Sequence, residues 1–167
     1  MKTKRIVAPL TAAILLAVAG AAQAATKTAS FTVSATVGKN CTIGAANLAL
    51  GEFVGDNNPT AESDITVRCT AGTAFTIALD DGVTGSYAGR RMEGPGGNFL
   101  VYNLYTDDTY GAVWGDDTGD TDVRVGSGAG MATPITRTVY GRLLAADNDG
   151  PVEAGAYTDT IVATITY

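Results

Sequence analysis

Between residues 29 and 37 the chain reads Ala-Ser-Phe-Thr-Val-Ser-Ala-Thr-Val, so Ala29, Phe31, Val33, Ala35 and Val37 alternate with hydroxyl residues. A period of two puts all five apolar side chains on one face of a strand. The same alternation recurs along the chain. Leu48 and Leu50 predict a short strand after the first cysteine, and the polar, Pro-containing stretch 51–64 predicts a loop. Ile65, Val67 and Cys69 make a strand; beyond the Ala71-Gly72 turn, Phe75, Ile77 and Leu79 make another, closed by Asp80-Asp81-Gly82. Residues 83–98 are glycine-rich and read as turns. Phe99–Thr106 is an aromatic and β-branched strand. Residues 107–134 are acidic and glycine-rich, broken by Val113-Trp114 and by Val123 and Val125.

Ile135–Leu144 predicts a strand with Ile135, Val139 and Leu143 on one parity, and Asp147–Gly155 a loop. The last strand spans Ala156–Tyr167, with Tyr157, Ile161, Ala163, Ile165 and Tyr167 on one face. Helical periodicity is absent outside the first 24 residues. Seven or so strands of this kind predict an all-β fold, an antiparallel β-sandwich of immunoglobulin type.

The first 24 residues change the domain count. Lys2, Lys4 and Arg5 precede an apolar run from Ile6 to Ala22, and Ala22-Gln23-Ala24 is a small-x-small cleavage site. This is the pattern of a secretory signal peptide. The rival reading, a membrane anchor, has about 17 apolar residues to work with, near the lower limit for a span. The cleavage site and the alanine-rich run favour the signal. Its removal takes three of the 11 Lys and Arg and leaves all 17 carboxylates, so the mature net charge moves from −6 to −9. The remainder is rich in threonine and glycine and poor in lysine, glutamate and leucine, a composition suited to strands and turns.

Charge and composition then exclude function classes. An acidic chain lacks the basic face that nucleic acid requires. With no histidine there is no Ser-His-Asp triad, no Cys-His pair and no histidine-ligated metal. Cys41 and Cys69 are the only cysteines, are not spaced as CxxC, and in an exported chain read as a structural disulfide rather than free or redox thiols. Closing their 27 intervening residues is worth roughly 3–4 kcal/mol in the chain-entropy view.

The remaining candidates are weak. The run Asp116-Asp117-Thr118-Gly119-Asp120-Thr121-Asp122 is acidic enough for calcium, yet Thr118 and Thr121 stand where an EF-hand needs an acid or amide and a glycine, so a solvated turn is expected. Asp80-Asp81 and Asp107-Asp108 are adjacent pairs, and neighbours in a strand point to opposite faces, which is wrong for paired acids in glycoside hydrolysis. Ser127 lies in Gly-Ser-Gly-Ala-Gly, not in G-x-S-x-G, and Met131 breaks G-x-G-x-x-G. Asn40-Cys41-Thr42 is a sequon in form, on a cysteine assigned to a bridge. Trp114 and the tyrosines are expected in packing rather than on sugars. No catalytic constellation, metal site or cofactor site emerges.

Order and spacing carry more information than any single motif. Phe31-x-Val33-x-Ala35-x-Val37-x3-Cys41 is followed by Leu48-x-Leu50-Gly51-x-Phe53 and by the run Ile65–Asp80 with Arg91-Met92 after it. Then come Leu100-Val101-Tyr102-Asn103-Leu104-Tyr105, Trp114-Gly115-Asp116 and Val139-Tyr140-Gly141-Arg142. Gly155-x-Tyr157-x-Asp159-Thr160-Ile161-x-Ala163-x-Ile165-x-Tyr167 closes the chain. Over residues 29–167 this resembles the spore coat protein U family, which includes the subunits of archaic (Csu-type) chaperone–usher pili.

The resemblance implies an incomplete immunoglobulin-like subunit that lacks its last strand. A periplasmic chaperone lends a strand, a neighbouring subunit's N-terminal extension replaces it, and subunits polymerise at an outer-membrane usher. On that reading residues 1–24 are the signal, 25–37 the donor segment and 38–167 the domain. Ala29, Phe31, Val33, Ala35 and Val37 would enter a neighbour's groove, walled by Tyr157, Ile161, Ala163, Ile165 and Tyr167. The product would pass through the periplasm to a surface fibre serving adhesion and biofilm formation, with no membrane insertion after signal cleavage.

A single domain with a good donor suits a repeating shaft subunit better than a tip adhesin; a secreted coat protein is the other expectation. Two rivals concern 29–37 itself: it could be the first strand of a complete sandwich, or only 25–33 could be donated.

Overall fold

In a computed structural model, residues 23–83 and 85–167 are described. The expected signal segment lies almost wholly outside the described residues. No helix among the described residues is long and apolar enough to cross a membrane. The chain divides into two units, residues 1–35 and 36–167. In the first, residues 23–35 form no strand and are exposed throughout, Phe31 at 88% and Val33 at 82%. The strand expected at 29–37 is therefore absent in this single chain. Backbone groups gain nothing from extension unless a partner strand satisfies them.

Within the second unit, ten strands are described: β1 (Cys41–Ala45), β2 (Thr60–Cys69), β3 (Ala74–Leu79), β4 (Arg90–Glu93), β5 (Phe99–Tyr105), β6 (Val113–Trp114), β7 (Thr121–Asp122), β8 (Arg124–Ser127), β9 (Ile135–Leu143) and β10 (Ala163–Thr166). They build two sheets. One runs β1-β2-β9-β5-β6-β7, with β4 also paired to β5; the other runs β10-β3-β8. All described pairs are antiparallel except β6 with β7, which is parallel and departs from the all-antiparallel expectation.

The period-two residues fill the space between the sheets. Ile65, Val67 and Cys69 from β2, Phe75, Ile77 and Leu79 from β3, and Leu100, Tyr102 and Leu104 from β5 are buried with Trp114, Val139 and Leu143. Trp114 is fully buried, and its indole N–H donates to the Ile77 carbonyl at 3.0 Å, tying β6 of one sheet to β3 of the other. A buried indole needs such an acceptor.

Four expectations are corrected. The strand after the first cysteine is Cys41–Ala45, not Leu48–Leu50, whose side chains alternate while their backbone joins no ladder. β2 begins at Thr60, inside the expected loop, because Thr60–Asp64 pairs with Thr138–Arg142 beyond the apolar core, where alternation carries no signal.

β4 lies inside the expected turn region. Its inward positions are Arg90 and Met92, and a buried arginine disguises the pattern. The final strand is only Ala163–Thr166. Residues 157–162 keep the alternating burial but are held by one bridge, Glu93 to Thr158, and by exchange of hydrogen bonds between Asp80 and Val162.

Arg90 is fully buried. Its Nε and Nη2 donate to the Asp80 carbonyl at 2.9 and 2.7 Å, Nη2 also to the Trp114 carbonyl at 2.7 Å, and Nη1 to Asn103 Oδ1 at 2.7 Å. The Asn103 amide donates to the Tyr87 carbonyl at 2.8 Å, and the guanidinium lies over the Tyr87 ring. Burial pulls the guanidinium pKa below its usual value. One planar fork thus satisfies carbonyls that the β3–β4 connection and β6 would otherwise leave buried and unpaired.

Candidate functional site: an open groove between two sheet edges

Among the described residues β1 has a ladder partner on one side only, β2, and β10 on one side only, β3. These two edges approach each other across the sandwich without forming a ladder. Beyond them the core opens into a groove of about 1310 Å3. Its floor is apolar: Ile65, Leu79, Met92, Leu100, Leu104, Val139 and Leu143, with Tyr102. One lip runs from Ala45 to Gly55 and carries Leu48, Leu50 and Phe53; the other runs from Val152 to Ile161. Val54 and Val152 stand exposed at the mouth, at 62% and 40%.

The lips are held differently. Leu48 and Leu50 descend onto Gly141 of β9. A Cβ at 141 would stand 2.8 and 3.0 Å from the two Leu48 methyls and 3.3 Å from a Leu50 methyl. A glycine within a strand marks such a close approach. On the opposite lip, Asp159 is a polar clasp. Its Oδ2 accepts from the Tyr102 hydroxyl at 2.7 Å and its Oδ1 from the backbone N–H groups of Val83 (3.0 Å) and Thr160 (2.7 Å). Burial, reinforced by the Asp159 carboxylate, pushes the Tyr102 phenol far up, so it stays a neutral donor. Tyr157 closes this end, donating its hydroxyl to the Glu153 carbonyl at 2.9 Å with its ring against Gly94.

Of the five wall residues expected, Tyr157, Ile161 and Ala163 line the groove. Ile165 does not: it sits opposite Ile77 in the β10–β3 ladder and packs on the core. Tyr167 lies past the end of β10, 51% exposed. Cys41 and Cys69 are bonded and are direct register partners of β1 and β2, so the bridge staples an edge strand to its neighbour.

Leu48, Leu50, Gly141, Tyr102 and Asp159 form the site without having been singled out for it. Gly141 was the available signal, a glycine inside an otherwise β-branched and aromatic strand.

The acidic segments serve turns. Asp107 accepts from the Thr109 hydroxyl and from the backbone N–H groups of Thr109, Gly111 and Ala112; the Thr109 hydroxyl first, then these amides, hold its carboxyl below the usual range. Asp116 is lowered chiefly by the Thr118 hydroxyl. Among the described residues no group of three His, Cys, Asp or Glu side chains is placed to hold a metal ion.

The sequence profile of the Spore Coat Protein U domain matches residues 27–164. The chain belongs to the Spore Coat Protein U domain family. It is 34% identical to "Protein U" of Myxococcus xanthus over 188 aligned positions, covering 98% of either chain. Among solved structures it is similar to a chain of the CsuC–CsuE chaperone–tip adhesion subunit pre-assembly complex from archaic chaperone–usher Csu pili of Acinetobacter baumannii, with a TM-score of 0.56 and 21% identity. That likeness covers 79% of this chain and 41% of the other, so the present chain spans about two fifths of its length. At this identity the likeness is one of fold alone.

Proposed function

We propose that this Spore Coat Protein U domain is the structural subunit of a secreted surface fibre of the archaic chaperone–usher kind, assembled by donor-strand complementation. The groove carries the reading: an apolar floor under an open mouth, between the lips 45–55 and 152–161 that run on from the edge strand β1 and lead into the edge strand β10. An open edge of this kind invites pairing with another chain. A donated strand supplies backbone hydrogen bonds to the edge, and its alternate side chains fill the floor. Residues 25–37 suit that task, since Ala29, Phe31, Val33, Ala35 and Val37 share one parity and the segment is unpaired and exposed. Before assembly a periplasmic chaperone lends the strand; at an outer-membrane usher a neighbouring copy replaces it. The domain is then an immunoglobulin-like sandwich completed only in the polymer. The contacts are head to tail and open-ended, the geometry that builds filaments. The signal at residues 1–24 takes the chain through the periplasm to the cell surface, where the fibre supports adhesion and biofilm formation.

The test is electron microscopy of cells producing the chain with its chaperone. Deleting residues 25–34, or Phe31→Asp, abolishes fibres while the variant still co-purifies with the chaperone. Normal fibres from either variant overturn the reading. A second reading, a spore or cell coat protein, is favoured by the family's description and predicts a non-fibrous surface layer that survives the same variants.

A further inference from the structure

The two lips of the groove are built in opposite ways, and that asymmetry has a kinetic consequence. Residues 157–162 are pinned to both sheets. Thr158 exchanges two backbone hydrogen bonds with Glu93, at 2.9 and 3.0 Å, and Val162 is tied to Asp80 at 2.9 and 3.1 Å. Asp159 is clasped to the Tyr102 hydroxyl on the floor. The facing lip is tied at its two ends. The Ala46 N–H donates to the Asp64 carbonyl at 3.0 Å and the Ser63 hydroxyl to the Ala46 carbonyl at 2.8 Å; at the far end the Leu143 N–H donates to the Pro59 carbonyl at 3.0 Å. Between the ties, no described residue hydrogen-bonds to the backbone of Leu48–Gly51. Two leucines resting on Gly141 hold this stretch, and Gly51 and Gly55 stand at φ +83° and +87°, a region glycine enters without strain.

We infer that residues 48–56 are a gate. With Leu48 and Leu50 seated on Gly141 the groove is part-filled, and a strand is admitted only when this lip lifts, turning about Gly51 and Gly55, while 157–162 stays in place as the fixed rail. The inference rests on the proposed function of the groove as an acceptor of a donated strand. It accounts for the glycine at 141: a larger residue there would unseat the leucines and leave the floor without its temporary cover. The lifted state is the binding-competent one, so the rate and apparent affinity of strand capture are reduced by its small population.

The experiment uses the mature full chain and a fluorescently labelled synthetic peptide of residues 25–37. Hydrogen exchange of the free chain is expected to be fast over 48–56 and slow over 157–162, and the bound peptide is expected to leave 48–56 exchanging at least as fast as in the free chain. The double variant Leu48→Ala/Leu50→Ala is expected to raise the association rate about tenfold, as a larger share of chains becomes competent. Gly141→Ala is expected to act in the same direction; if it fails to fold, the leucine variant stands alone. Equal protection of both lips, or an unchanged association rate in the leucine variant, overturns the gate while leaving the acceptor groove intact. Absence of peptide binding to the unaltered chain overturns the acceptor reading, and the gate with it.

Discussion

Arg90 is the residue whose surroundings depart furthest from what its type suggests. An arginine in a polar run, Gly89-Arg90-Arg91, reads as surface, yet it is fully buried and gathers the carbonyls of Asp80 and Trp114 with the Asn103 side chain. Replacing it with methionine keeps much of the volume and removes every donor, so several buried acceptors lose their partners. The expected cost is about 3 kcal/mol, the range seen when one member of a buried hydrogen-bonded set is removed. A lower urea midpoint with an unchanged slope would register it; a midpoint within error of the parent would contradict the role given to Arg90. The same inward-facing arginine hid β4 from the sequence pattern, because hydrophobic alternation cannot report a polar group whose acceptors come from three distant segments.

At the scale of elements, alternation located the long core strands well. Phe75, Ile77 and Leu79 and the run from Leu100 to Leu104 are buried as expected, since both stretches face one core and change side every residue. The pattern misled where alternation and pairing part company. Leu48 and Leu50 alternate because they cover a floor, and residues 157–161 alternate because they wall a groove; neither stretch forms a continuous ladder. Residues 29–37 alternate most regularly of all and pair with nothing described. Alternation records which face expects burial, not which chain supplies the cover. β1 shows the converse, a five-residue edge strand with a weak pattern, tied down by Cys41–Cys69 at a register pair. Replacing both cysteines with serine is expected to cost about 2–4 kcal/mol, measured by chemical denaturation, and to free β1 first. Unchanged exchange at Thr42–Gly44 would show that β1 is held by its ladder alone.

For the whole molecule, the groove leaves apolar side chains at its mouth, Val54 and Val152, exposed to water above a floor that is already buried. A strand that fills it binds only the folded form, so it stabilises by mass action. The 25–37 peptide at about 100 times its dissociation constant is expected to add about 2.7 kcal/mol, read as an upward shift of the thermal midpoint that grows with peptide concentration. A midpoint insensitive to peptide would remove the stabilising role of complementation. The full chain carries a net charge of −6, and carboxylates such as Asp107 and Asp116 accept hydrogen bonds within turns.

The sequence by itself determined the class of fold, the core faces of the long strands, the cysteine pair and an N-terminal segment made for one-sided burial. Each of these is a local matter, a period of two or a spacing that one stretch carries alone. Only the tertiary structure decided that the two sheets leave a groove, that Leu48 and Leu50 rest on Gly141, that Asp159 clasps Tyr102 and that Arg90 ties three segments together. Those contacts join residues between 10 and 93 positions apart in the chain. Nothing in a local pattern records that segments 45–55 and 152–161 come to face each other, and it is their meeting over one floor that shapes the groove.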